Sequence, residues 1–145
     1  MGTYRTICAG VVLWAACAAP AFAQQCLHGT GETPEQTERH RAALTATRTI
    51  NNIQANHGPE RARGVYVRHA DLANTPYAQG LQSSMNPVIG RMSLVPGTDI
   101  LPGWRLTLSV AEGGYWFMIK DTTDPCGFAF ISNQDGLIYT AEPLR

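Results

Sequence analysis

The most regular pattern along the chain is an alternation of apolar and polar positions near its C-terminus. Over residues 104–110 every second side chain is apolar, and the positions between them are Arg105, Thr107 and Ser109. This period of two predicts a β-strand with one dry and one wet face. Three more strands are predicted at residues 115–120, 127–132 and 137–140. Turn residues at 112–114 and 133–136 separate them, so the pattern predicts a four-stranded antiparallel meander.

A helical pattern precedes the strands, over residues 33–57. Thr33 and Gln36 form a capping-box pair, with Pro34 at the favoured first helical position. The apolar residues that follow recur at helical spacing and make a narrow stripe of small side chains: Ala43, Ala46, Ile50 and Ile53. We therefore expect an α+β fold in which this N-terminal helix packs on the four-stranded meander.

The segment between helix and meander has a weaker pattern. Val65 and Val67 alternate and predict a short strand, and residues 88–95 predict another. Proline, glycine, serine and asparagine are frequent over residues 71–87, which predicts a loop with one helical turn near 71–73. Residues 96–103 are interpreted as a turn-rich break.

The first 23 residues have the layout of a secretory signal peptide. Arg5 precedes an apolar run over residues 7–19, and the small-x-small triplet of residues 21–23 follows. We expect cleavage between Ala23 and Gln24, which leaves residues 24–145 as a single domain. This domain is expected to be periplasmic or secreted, and to have no membrane span after the leader is removed. The alternative is a leader that is retained as a membrane anchor.

Removal of the leader changes the cysteine and charge counts. Cys8 and Cys17 leave with it, and Cys26 and Cys126 remain, which predicts one disulfide in an oxidising compartment. Two free thiols or an intermolecular bond are the alternatives. Of the eleven basic residues only Arg5 is lost, so the remaining chain has ten basic and eleven acidic residues. No basic stripe is present, which argues against nucleic acid as a partner.

Residue patterns typical of catalysis or metal binding are absent from the sequence. The histidines, His28, His40, His57 and His69, do not have metal-ligand spacing. Asp121, Asp124 and Asp135 could offer oxygen ligands to calcium, but their spacing is more typical of turns. No nucleophile motif or phosphate-binding loop occurs. We therefore predict no catalytic residues, no metal and no cofactor, and interpret Trp116, Phe117, Phe128 and Phe130 as core.

The helix TERHRAALTATRTINNIQANHG (37–58) and the ending YWFMIKDTTDPCGFAFISNQDGLIYTAEPL (115–144) resemble type IV pilins and type II secretion pseudopilins. In that family a phrase containing Asp, Gly, Ile and Tyr often closes the sheet, and Asp135, Gly136, Ile138 and Tyr139 match it. The usual prepilin N-terminus, with Glu near the start of a long apolar helix, is missing, since the first acidic residue is Glu32.

The resemblance implies a non-catalytic accessory or adaptor with a pilin-like head, which acts in the cell envelope by contact with a protein partner. One route is strand addition at the edge carrying Arg105, Thr107 and Ser109. The alternative is a small periplasmic binding or inhibitor module with its site in the loop region 71–102.

Overall fold

The computed structural model describes residues 26–29, 31–57, 63–83 and 86–142. The predicted signal peptide and the Ala23–Gln24 cleavage site lie outside these residues. Five strands form one antiparallel sheet in which each strand pairs with the next along the chain. They are β1 (Asp99–Leu101), β2 (Trp104–Ala111), β3 (Gly114–Asp121), β4 (Ala129–Asn133) and β5 (Ile138–Ala141).

The fifth strand corrects the prediction of a four-stranded meander, although the α+β class holds. The extra strand is β1, which pairs with the start of β2 through Asp99 opposite Arg105 and Leu101 opposite Trp104. It is only three residues long and has Pro96, Gly97 and Pro102 around it, so its sequence looks like a turn. Burial of Ile100 and Leu101 holds it against the sheet.

Helix α1 (Pro34–Ala55) covers one face of the sheet, as predicted. The capping box forms: the Thr33 side chain accepts a hydrogen bond from the Gln36 N–H, and the Gln36 side chain accepts one from the Thr33 N–H. The predicted stripe of Ala43, Ala46, Ile50 and Ile53 is completely buried. Its small side chains let the helix lie close to the strands, mainly over β4.

The strand register divides the sheet into two faces. The face under α1 carries large buried side chains, including Trp104, Leu106, Phe117, Ile119 and Phe130. The opposite face has no helix over it among the described residues and is called the open face below. The residues on the open face of the four longer strands are Arg105, Thr107, Ser109, Ala111, Gly114, Trp116, Met118, Lys120, Ala129, Ile131, Asn133, Tyr139 and Ala141.

The predicted strand at Val65 and Val67 does not form. Both backbone hydrogen-bonding groups of Val67 pair instead with the buried side chain of Gln54 on α1, each at 2.8 Å. A single glutamine amide therefore takes the place of a neighbouring strand.

The rest of the middle segment is helical rather than extended. A 3₁₀ helix, His69–Asn74, contains the predicted turn. Helix α2 (Pro76–Gln82) replaces the predicted loop, because Thr75 caps it and Pro76 occupies its first turn. The predicted strand at 88–95 is wrong: the Asn86 side chain accepts hydrogen bonds from the Val88 and Ile89 N–H groups and starts a second 3₁₀ helix, Ile89–Arg91.

Gly103, between β1 and β2, is expected to be sensitive to substitution. Its φ is +77°, and a Cβ there would lie 3.0 Å from both Arg39 Nη2 and Thr123 Cγ2. Gly103→Ala should lower the free energy of unfolding by about 2–3 kcal/mol, from backbone strain and crowding together. Urea denaturation measures this change.

The matched control is Gly97→Ala, which has a φ of +83° but no atom within 4 Å of its Cβ. Its free energy of unfolding should fall by only about 1–2 kcal/mol, from backbone strain alone. Equal losses at the two positions would show that the contacts around Gly103 contribute nothing.

Candidate functional site

A dense junction joins the N-terminal segment to the loop after β3. The predicted disulfide is present between Cys26 and Cys126, with a Cα–Cα distance of 5.3 Å. Next to it, Asp124 Oδ1 accepts hydrogen bonds from the Leu27 N–H at 3.2 Å and the Cys126 N–H at 2.9 Å. Asp124 Oδ2 pairs with His28 Nδ1. One carboxylate thus connects both chain segments that the disulfide bridges.

These bonds explain the ionisation of Asp124. Burial acts to raise the pKa of this carboxyl, but the hydrogen bonds from Cys126, His28 and Leu27 favour the charged form and bring the pKa below its ordinary value. The carboxylate is therefore a structural anion. This pair was not predicted from the sequence, although His28 lies two residues after one bridged cysteine and Asp124 lies two residues before the other.

Two histidines flank the Phe128 ring beside the junction. The His28 ring centroid lies 5.0 Å from that of Phe128, and the His40 centroid 4.8 Å from it on the α1 side. His28 Nε2 lies 3.9 Å from a carboxylate oxygen of Glu142. Within residues 26–29, 31–57, 63–83 and 86–142, the group that lies at this ring nitrogen is a carboxylate and not a hydroxyl or thiol.

His40 has a carboxylate of its own. Its Nδ1 lies 3.2 Å from Glu32 Oε1. Burial acts to raise the Glu32 pKa, but hydrogen bonds from the Gly29 N–H, His40 and Thr37 lower it overall. Both imidazoles at this end of the sheet thus pack against Phe128 and contact a carboxylate.

The loop aspartates are used as turn-forming groups. Asp121 is buried, and its Oδ1 accepts from the Thr123 N–H at 2.8 Å, the Asp124 N–H at 3.2 Å and Arg39 at 3.1 Å. Asp135 lies in the β4–β5 turn, where it bonds with Asn133. In the described ranges no three His, Cys, Asp or Glu side chains converge in a way that could hold a metal ion.

The open face presents an apolar row across the centre of the sheet. Trp116, Met118, Ile131 and Tyr139 form this row, with Trp116 46% exposed and Tyr139 53% exposed. The prediction that Phe117, Phe128 and Phe130 belong to the core is confirmed, but it is wrong for Trp116. Because Trp116 precedes Phe117 on the same strand, the two side chains point to opposite faces.

The edge predicted for strand addition is partly covered. Strand β1 pairs with β2 at Arg105, and the Arg105 guanidinium forms an ion pair with Asp99 at 3.0 Å. Arg105 therefore does not lie on a free edge. Thr107 and Ser109 lie beyond the end of β1, and their side chains point to the open face.

Residues 71–102 contribute to the core as well as to a surface cavity. Leu72, Ala78 and Ile100 are buried in the main hydrophobic cluster. A cavity of about 300 Å³ lies between α1 and this segment. Its lining residues are mainly apolar and include Ala78, Leu81, Met92, Leu94 and Val95.

Comparison of the chain with protein-family models, with curated proteins and with solved structures finds no match. Among the helices in the described part of the chain, none combines the length and the apolar character that crossing a bilayer requires.

Proposed function

We propose that this protein is an exported, non-catalytic protein of the cell envelope, with a pilin-like head, that acts by binding another protein through its open face. The observation that carries the proposal is the apolar row of Trp116, Met118, Ile131 and Tyr139, in which Trp116 and Tyr139 are exposed and Met118 and Ile131 are half-buried. The Cys26–Cys126 disulfide supports export, because such bonds persist in oxidising compartments.

The composition of the open face is typical of a protein-binding surface. Trp and Tyr are the residues most enriched among those that dominate interface energies, and Met adapts to irregular partners. Polar side chains surround the apolar row: Thr107, Ser109, Lys120 and Asn133. An apolar centre with a polar rim is the usual arrangement of a specific interface.

The titratable groups of the junction support the non-catalytic part of the proposal. Asp124 and Glu32 are paired with buried or half-buried histidines, and hydrogen bonds to backbone N–H groups hold both carboxylates in place. Asp124 stabilises the loop that follows β3, and Glu32 connects the segment before α1 to His40 on that helix. These roles account for the positions of both carboxylates without a substrate.

Site-specific photo-crosslinking tests the proposal directly. With benzoylphenylalanine in place of Trp116, irradiation of the producing cells should yield a covalent adduct with a protein. The residue in place of Trp116 keeps an aromatic ring on the exposed side of β3, so the fold should be retained. Adducts are detected on denaturing gels and identified by mass spectrometry.

The control places the same residue at Val95, which is 57% exposed and lines the cavity beside α1. No adduct at position 116, or one at both positions with the same yield, would contradict the proposal.

The cavity beside 71–102 favours a second candidate, a small binding or inhibitor module. Val95 lines this cavity. An adduct formed at position 95 and not at position 116 would therefore favour the second candidate over the first.

A further inference from the structure

We infer that the partner of the open face is a second copy of this chain, packed face to face in a two-fold symmetric dimer. This inference rests on the proposed function, in which the open face binds protein. A two-fold interface must be complementary to itself: if residue i contacts residue j, then j contacts i. The arrangement of charge along the open face meets this condition.

Charge is unequally distributed along the strands. At one end of β3, Lys120 points to the open face and has no carboxylate partner among the described residues, while Arg105 beside it is already paired with Asp99. At the other end, the β2–β3 and β4–β5 turns carry Glu112 and Asp135. The two ends lie about 20 Å apart at the usual rise per strand residue.

One two-fold operation brings opposite charges together. If the axis lies in the interface and runs across the strands between the levels of Trp116 and Met118, β3 of one copy lies antiparallel over β3 of the other. Lys120 of each copy then lies over Gly114 of its partner, next to the β2–β3 turn that carries Glu112. Trp116 of each copy packs against Met118 of the other, so the apolar row lies at the centre of the interface.

The area of the open face sets the expected affinity of the dimer. The five strands contain 3, 8, 8, 5 and 4 residues. At a rise of about 3.3 Å per residue and a strand spacing of about 4.8 Å they present roughly 450 Å² per copy, or about 900 Å² in the pair. This is at the lower limit for a specific interface, so the dimer should dissociate in the micromolar range. The full chain has eleven acidic and eleven basic residues, and loss of Arg5 with the predicted leader changes the formal charge only to about −1, so net charge does not oppose association.

Sedimentation velocity of the protein with its disulfide intact, from about 1 to 300 µM, tests the inference. We expect a monomer–dimer equilibrium that depends on concentration. Trp116→Arg should raise the dissociation constant at least tenfold, because it places a charge in the apolar centre. Val95→Arg, at an exposed position outside the face, should leave the constant unchanged. A monomer at all concentrations would overturn the inference.

A charge exchange provides a second test that does not alter the apolar row. Lys120→Glu and Glu112→Lys should each raise the dissociation constant about fivefold, and the double variant should restore it to within about twofold. Both side chains are exposed, so each variant should fold. Failure of the double variant to restore association would overturn the two-fold arrangement.

The crosslinking experiment separates this inference from the proposed function. An adduct at position 116 with the mass of two identical chains supports both. An adduct with a different protein overturns the second-copy inference and leaves the proposed function standing. Absence of any adduct contradicts both.

Discussion

Replacement of Cys26 and Cys126 by serine should lower the free energy of unfolding by about 4 kcal/mol, the largest effect that we expect from any change to this protein. The disulfide joins residues 100 positions apart. Opening a loop of that length releases chain entropy in the unfolded state worth about 4.7 kcal/mol in the standard model. For a domain of this size the thermal midpoint should fall by about 10–15 °C.

Urea denaturation of the oxidised protein, the reduced protein and the double variant measures the effect. The reduced protein and the double variant should unfold at similar urea concentrations, since both lack the covalent link. The Asp124 bonds to Leu27 and His28 remain possible without the bridge, so the native fold should persist in the absence of denaturant. A loss below about 1 kcal/mol would contradict the prediction.

The second large effect is expected for Asp124→Asn, at about 2–3 kcal/mol near neutral pH. The asparagine amide oxygen accepts weaker hydrogen bonds than the carboxylate accepts from Leu27, Cys126 and His28. In addition, the amide NH₂ group would lie against one of these groups that itself donates a hydrogen bond. Urea denaturation across pH 2–8 measures both the loss and its pH dependence.

The sign of the pH effect follows from the lowered pKa of Asp124. A carboxyl whose pKa is lower in the folded state binds fewer protons there than in the unfolded state. Its stabilisation is therefore complete above the unfolded value, about 3.9, and is lost as pH falls through the folded pKa. Wild type and Asp124→Asn should differ most above about pH 5 and converge at the acid end.

Glu32 contributes in the same direction, so some acid sensitivity should remain in the variant. The control is Asp135→Asn, in the exposed β4–β5 turn, where an amide can still accept from Asn133. It should change stability by less than about 0.5 kcal/mol. An Asp124→Asn variant with an unchanged pH profile would show that this carboxylate does not anchor the junction.

The junction also affects the proposed interface. It fixes the loop between β3 and β4, which contains Gly127. The Lys120 side chain lies beside this glycine, because a Cβ added at Gly127 would lie 3.7 Å from Lys120 Cε. Disulfide and Asp124 thus hold the surface against which Lys120 rests. Loss of the junction should weaken association as well as stability.

Sequence alone was sufficient where a local repeat or cap specifies the structure. The capping box at Thr33 and the apolar stripe of α1 depend on residues three or four positions apart, and the alternation along β2 depends on neighbours two apart. The pairing of Cys26 with Cys126 was predictable because only two cysteines follow the predicted leader. These signals were enough for the α+β class and for four of the five strands.

Tertiary structure alone decided the features that depend on what approaches from far along the chain. Strand β1 exists because Ile100 can be buried against a sheet that forms elsewhere, and Val67 bonds to Gln54 because α1 lies beside it. The Asp124–His28 pair joins residues 96 positions apart. Trp116 looked like a core residue because the composition of β3 is apolar on both faces. Since α1 covers only one of them, this side chain is left on the surface that we propose binds a second copy.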